Sequence, residues 1–184
     1  MTKPLTIVHI ASEVEPFTKS GGLANVLGSL PKAHKELGHT VCIITPYYEG
    51  LVNLGDHKLE TIGEDELIEL TKDIWEKVTY YKTTSDGVDI YFVASKKYFG
   101  PRETLYGAKN DNARFMVFDV GAMQLLKKIN IQPDVLHCHD WHTGLIPYFL
   151  KWRFRKDPFW KNTASLYTIH NLSYQLGHNW WEIP

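Results

Sequence analysis

Thr6-Ile7-Val8-His9-Ile10-Ala11, then Ser20-Gly21-Gly22, then Leu23, Val26, Leu27, Leu30, Ala33 and Leu37 closed by Gly38, then Val41-Cys42-Ile43-Ile44-Thr45 closed by Pro46: this order decides the fold. The first run is short, apolar and β-branched, as in a buried strand. The paired glycines break it. From 22 to 37 the apolar residues recur at helical spacing, and Gly38 supplies the stop. Pro31 falls inside this helix and is expected to kink it or cost it a hydrogen bond. Strand, glycine turn, helix, strand is one βαβ unit, whose crossover is expected to be right-handed.

Working outward, the stretch from Gly50 to Trp75 is polar and acidic, and its pattern decides for neither helix nor strand. Val78 to Thr84 and Val88 to Ala94 alternate around Asp86-Gly87, a strong hairpin signal. Asn112 to Ile129 reads as a helix with Phe115, Phe118, Val120, Met123, Leu126 and Ile129 on one side. Val135 to Cys138 reads as a strand. Thr143 to Arg155 reads as a helix with Thr143 as its N-cap, against which Pro147 argues. Leu166 to Ile169 reads as a last strand. Alternating strands and helices predict an α/β domain with a mainly parallel sheet.

The 184 residues suffice for one domain of ordinary size, at about 100–200 residues each. Twenty basic against 21 acidic side chains leave a net charge of −1, which argues against a nucleic-acid or anionic-membrane partner. No apolar run reaches the roughly 18–20 residues of a membrane span. The N-terminus lacks a signal-peptide pattern, and Cys42 and Cys138 alone make no disulfide framework. A cytoplasmic protein is expected. Eleven of the 24 aromatic residues fall between Trp141 and Trp181, so this end is expected to pack on something or to have been cut from a longer chain.

In parallel α/β sheets ligands bind beyond the carboxyl ends of the strands. Three segments follow strand ends here. Glu13 to Leu23 pairs Lys19 with Gly21 and Gly22 ahead of a helix. Glycine backbone, a helix N-terminus and a formal charge suit a phosphate or a sugar carrying one; an ordinary surface turn is the plainer reading. His137-Cys138-His139-Asp140-Trp141-His142 gathers three histidines and an aspartate. It can be read as a metal site, as a polar pocket wall with Trp141 as a stacking surface, or as satisfied core histidines. The metal reading fails the H-x-H-x-D-H pattern of metallo-hydrolases by one residue. Tyr167 to Gln175 ends another strand in His170-Asn171, which can donate to hydroxyls or to developing negative charge.

Together the segments resemble a known family. Lys19-Ser20-Gly21-Gly22-Leu23 is similar to the K-T/S-G-G-L signature of bacterial glycogen synthases and plant starch synthases. His137 to Thr143 resembles their H-x-H-D-W-H-T/A, and Thr168 to Gln175 their T-[IV]-H-N-L-A/S-Y-Q. Ile10 to Phe17, Thr45-Pro46-Tyr47, Tyr98-Phe99 with Arg102 and Leu105-Tyr106-Gly107, and Arg114-Phe115 also fit, in the family's order. The resemblance implies a GT-B fold of two Rossmann-like domains. Residues 1–184 would be the N-terminal, acceptor-side domain, with the C-terminal nucleotide-binding domain absent from the chain.

The family transfers glucose from ADP-glucose to the non-reducing end of an α-1,4-glucan with retention, and needs no metal or other cofactor. ADP-glucose and a glycogen or starch primer are the implied partners. By position, Lys19, Gly21 and Gly22 would contact ADP-glucose. His170 would sit at the transferred glucose, flanked by Asn171. Asp140, Trp141 and His142 would line the sugar side, with His170 and Asp140 as the catalytic pair. Phe99 would be an aromatic of the acceptor cleft. Asn25 stands where the family commonly has Asp, so a sugar or ribose contact there would fall to an amide, which can donate and accept, in place of a carboxylate. Tyr174-Gln175-Leu176-Gly177 is one residue longer than the usual Y-Q-G. The isolated chain is expected to be inactive, because catalysis needs groups from both sides of a cleft. A plant source would imply a plastid location. A stand-alone glucan-binding module using Trp141, Trp180 and Trp181 is the alternative function.

Overall fold

The structure is a computed structural model and describes residues 3–172. Ser173, Tyr174, Gln175, Leu176, Gly177, Trp180 and Trp181 lie outside the described residues. Strand β1 (Thr6–Ile10), helix α1 (Gly22–Glu36) and strand β2 (Thr40–Pro46) form the expected βαβ unit, with Thr6 opposite Thr40 and Ile10 opposite Ile44 in parallel register. Helix α1 buries Leu23, Ala24, Leu27 and Pro31, and continues past Pro31 to Glu36. Pro31 has no N–H for the carbonyl one turn back, so the helix forgoes one backbone bond there.

The undecided acidic stretch is strand β3 (Glu60–Thr71). It pairs antiparallel with β4 (Ile74–Ser85), which pairs antiparallel with β5 (Val88–Ala94). Irregular register around Gly63 and again near Thr71 breaks the two-residue alternation in β3, which is why its sequence pattern is blurred. The Asp86-Gly87 turn has φ of 49° and 73°, the left-handed pair that a tight hairpin needs. After α2 (Lys96–Phe99) and α3 (Asp111–Lys128), strands β6 (Val135–His139) and β7 (Ala164–Thr168) complete a seven-stranded sheet. Its order is β3-β4-β5-β2-β1-β6-β7, and the five strands from β5 to β7 run parallel.

Two expectations need correction. Helix α3 buries residues around its whole circumference, Arg114 and Asp119 included, rather than one apolar side. It is enclosed by the sheet and by the segment after β6. The expected helix from 143 to 155 is instead a 3-10 turn (Trp141–Thr143), a one-turn helix α4 (Leu145–Tyr148) and a π turn (Phe149–Arg153). Thr143 is not an N-cap. Its Oγ1 donates to the carbonyls of His139 and Asp140, each at 3.1 Å, and Pro147 withholds an N–H from the next turn.

Alternate residues of the parallel strands serve different layers. Val8, Ile10, Cys42, Ile44, Leu136 and Cys138 pack in one cluster with α3, while Ile43, Ile90 and Phe92 pack with Leu23 and Leu27 of α1. Both cysteines are free and buried. On β7 the outer surface is open, with Leu166 51% exposed and Leu172 beyond it 78% exposed. Among the described residues no helix is long and apolar enough to cross a membrane.

Candidate active site

The loop leaving β1 is held internally. Val14 and Phe17 are buried. The N–H groups of Phe17 and Thr18 both donate to the Val14 carbonyl at 2.9 Å, and Asn53 N–H donates to Phe17 O at 2.8 Å. Glu13 lies 3% exposed under the glycine turn. Its Oε2 accepts the N–H of Ser20 at 2.5 Å and of Gly21 at 3.3 Å. One of the glycine donors expected to meet an external anion, the N–H of Gly21, therefore holds an internal carboxylate together with that of Ser20. A Cβ added at Gly22 would meet nothing within 4 Å, and one at Gly21 only Glu13 Oε1 at 3.9 Å. The space over these glycines is open. Lys19 Nζ donates to Glu15 at 3.2 Å with both side chains about half exposed, a weak and replaceable pairing. Asn25 is exposed on the first turn of α1.

The other two segments are tied together by Asp140. This residue is 8% exposed and sits at φ 58°, ψ 176°, a region that residues other than glycine rarely occupy. Its N–H donates to Thr168 O at 2.9 Å, and its Oδ1 accepts the N–H of His170 at 2.7 Å and of Asn171 at 3.4 Å. Asp140, a residue of the expected sugar side, uses its Oδ1 to position the backbone that carries His170 and Asn171. His170 is exposed.

Parallel pairing of β1 with β6 puts His9 opposite His137, and two-residue alternation puts His139 on the same face. His34 of α1 covers them. Rings of His137 and His139 stack face to face, 4.1 Å apart. His137 Nε2 lies 2.8 Å from Thr168 Oγ1. Burial pushes the imidazole pKa of His9 down to about 3, of His139 to about 2 and of His137 to about 4, with neighbouring histidines adding to the effect. All three are neutral at pH 7. Their nearest ring nitrogens fall within 4.8 Å of one another, close enough to consider a metal. His137 and His139 stack with their planes 27° apart, however, and His9 and His139 already engage each other at 3.1 Å. This geometry fits hydrogen-bonded rings better than a converging ligand set. His9 is one polar residue in an apolar run, and His34 is one of several polar residues at the end of α1, so neither stands out in the sequence.

Trp141, half-buried, lies edge-on to Phe115 at 5.2 Å and tilted over His142 at 4.2 Å. His142 is itself packed by Tyr106 at 4.7 Å and Phe115 at 4.6 Å. Burial, with the charge of Arg114 adding, pushes its pKa down to about 3. Its Nδ1 is buried without a hydrogen-bond partner among the described residues. Tyr106 Oη is 2.7 Å from Ser12 Oγ and so joins this aromatic group to the loop after β1. Phe99 requires a correction. It is fully buried, edge-on to Tyr48 at 5.5 Å, and one wall of an aromatic cage around the guanidinium of Arg114, 5.7 Å from its ring. A ring so enclosed is a core residue and presents no surface to a glucan.

Glycine turn, Asp140 bracket and His170 all lie at the carboxyl ends of β1, β6 and β7, as in open α/β ligand-binding domains. The chain belongs to the starch synthase catalytic domain family, whose model matches residues 6–183. It is 40% identical over 176 residues to a glycogen synthase of Geotalea uraniireducens, covering 93% of this chain and 36% of that one. A glycogen synthase of Moorella thermoacetica is 40% identical over 179 residues, covering 95% and 35%. The catalytic domain of starch synthase IV from Arabidopsis thaliana, solved bound to ADP and acarbose, superposes with a TM-score of 0.82 at 32% identity, over 94% of this chain and 35% of that one. The chain thus spans about a third of the length of these relatives.

Proposed function

We propose that this chain is the N-terminal, acceptor-side half of a glycosyltransferase that moves glucose from ADP-glucose to the non-reducing end of an α-1,4-glucan with retention. The observation that carries this reading is the open surface over Gly21 and Gly22, beside half-exposed Lys19, at the same end of the sheet as the bracketed His170. Glycines whose own chain leaves room for a side chain are suited to close approach by something else. Lys19 and the first turn of α1 would meet the diphosphate. His170 would meet the transferred glucose, where charge develops as the diphosphate departs. Trp141, half-buried, would offer a stacking surface to a sugar. Binding of ADP and acarbose by the Arabidopsis relative supports a nucleotide-sugar donor and a glucan acceptor. No metal is assigned a part in the reaction.

The test is transfer of labelled glucose from ADP-glucose into glycogen by the full-length protein, with UDP-glucose as the competing donor. Incorporation that is lost with Lys19→Ala is expected. Unchanged rate and donor affinity in that variant would remove the diphosphate role. Retention of the 184-residue chain on amylose without any transfer by the full-length protein would favour a binding module instead.

A further inference from the structure

Four histidines from four separate parts of the chain meet nitrogen to nitrogen. His34 Nδ1 lies 3.1 Å from His9 Nε2. His9 Nδ1 lies 3.1 Å from His139 Nε2. His139 Nδ1 lies 2.9 Å from His170 Nε2. Ring centroids along this line are 5.2, 5.4 and 5.2 Å apart, with interplanar angles of 22°, 24° and 18°. Nearly coplanar rings at that spacing meet edge to edge, unlike the face-to-face pair of His137 and His139. We infer that His34, His9 and His139 form with His170 one hydrogen-bonded column in which each ring's tautomer fixes the next, making His9 and His139 positioning residues for His170.

A neutral imidazole has one donor and one acceptor nitrogen. His9 and His139 each use both nitrogens within the column, so two donors can never face each other. All four rings therefore share one polarity. Running inward, every ring is protonated on Nδ1, and His170 offers Nδ1–H outward as a donor. Running outward, every ring is protonated on Nε2, and His170 offers a lone pair. Among the described residues the other titratable groups facing the column are His39 at the α1 end, His137 beside His139, and the Asp140 carboxylate, which accepts the backbone N–H of His170. Burial first, and the neighbouring histidines second, oppose added positive charge on His9 and His139, which keeps these inner rings neutral and the polarity rule in force. His34 is half-buried and marks the end away from His170. The positioning role rests on the reading of His170 as a donor-site residue; the column does not.

The test is long-range proton–nitrogen NMR of the 184-residue chain labelled with 15N-histidine, at pH 7. His9, His139 and His170 are expected to share one tautomer. His9→Phe, or His34→Ala at the half-buried helix position should the first variant fail to fold, is expected to turn His170 into a mixture. Opposite tautomers at adjacent rings, a charged His9 or His139, a bound stoichiometric metal, or a His170 signal unmoved by either variant would overturn the column. In the full-length protein His9→Phe is expected to lower kcat about tenfold, through loss of the working tautomer, with donor KM changed less than about twofold. An unchanged kcat with the NMR pattern intact would remove the positioning role alone. Absence of any glucose transfer by the unaltered protein would sink the donor reading, and the NMR pattern would still decide the column.

Discussion

Asp140 Oδ1 accepts the backbone N–H of His170 at 2.7 Å, across 30 residues of sequence. It does so from a backbone conformation with positive φ that costs on the order of 1–3 kcal/mol for a residue with a side chain. The strain is held by the bonds on either side, since Asp140 N–H donates to Thr168 O as well. Asp140→Ala should destabilise the chain by about 1–3 kcal/mol, through loss of the acceptor that holds the N–H of His170, and abolish transfer in the full-length protein. Asp140→Gly should relieve the strain and recover part of the stability without recovering activity. Denaturant unfolding alongside rate measurements separates these effects. Equal activity in the glycine variant and the wild type would refute the bracket.

Glu13 and Lys19 sit in one loop with opposite assignments. Glu13→Gln exchanges a buried carboxylate that accepts two N–H groups for an amide. It should cost about 1–3 kcal/mol of stability, read as a shift in the denaturation midpoint. Lys19→Ala should change stability by less than about 0.5 kcal/mol and yet weaken donor binding by calorimetry. Comparable loss of stability in both variants would show that Lys19 serves the loop and not a ligand.

Gly22→Ala offers a cleaner probe of close approach. Nothing within 4 Å obstructs the new Cβ, and alanine is favoured over glycine in a helix by up to about 1 kcal/mol. The melting temperature should hold or rise. Affinity for ADP-glucose should fall, because the methyl group occupies the space a diphosphate would take. Unaltered affinity would place the donor elsewhere.

Phe99→Ala should cost about 3–5 kcal/mol, as for a large ring removed from a core. The guanidinium of Arg114 would lose one wall of its cage. The expected symptom is a poorly folded protein. A stable variant with a raised KM for glucan would restore Phe99 to the acceptor surface.

Acid should unfold this chain steeply. His9, His137, His139 and His142 are buried with pKa values pushed down to about 3, 4, 2 and 3. In the unfolded chain each titrates near about 6.5. Below that pH the unfolded state binds protons that the folded state refuses, so stability is full above about pH 6.5 and is lost as pH falls toward the folded values. Each such histidine contributes a slope of up to about 1.4 kcal/mol per pH unit. Circular dichroism from pH 7 to 4 should show cooperative unfolding within this window, moved to lower pH by His142→Phe. Native spectra at pH 4 would mean the rings are solvated.

Periodic elements were legible in the sequence because their signals are local. The βαβ unit and the Asp86-Gly87 hairpin follow from spacings of a few residues. Strand β3 was not legible, since its irregular register spoils alternation. The buried circumference of α3 follows from layers on several sides, which no single helix pattern records. Lys19, Gly21 and Gly22 could be marked because two glycines and a lysine ahead of a helix suit an anion, although the same residues also make an ordinary turn. Glu13 looked like any loop acid, and only the folded turn shows it beneath Ser20 and Gly21. His9 meets His139 across 130 residues, a distance over which local pattern carries no information. Phe99 was misplaced for the opposite reason: a motif names a residue, while burial decides what that residue touches.

Strand β1 lies in the middle of the sheet, yet its neighbours are made at very different times. Strand β2 follows it within 36 residues, whereas β6 begins at Val135 and β7 at Ala164. A ribosome adding about 5–20 residues per second leaves one edge of β1 without its partner for several seconds. During that interval the backbone N–H and C=O groups on that edge of β1 have no strand partner. The carboxyl-end surface that gathers Lys19, Asp140 and His170 is therefore assembled late in synthesis, after an exposed central strand has been kept from pairing with other chains.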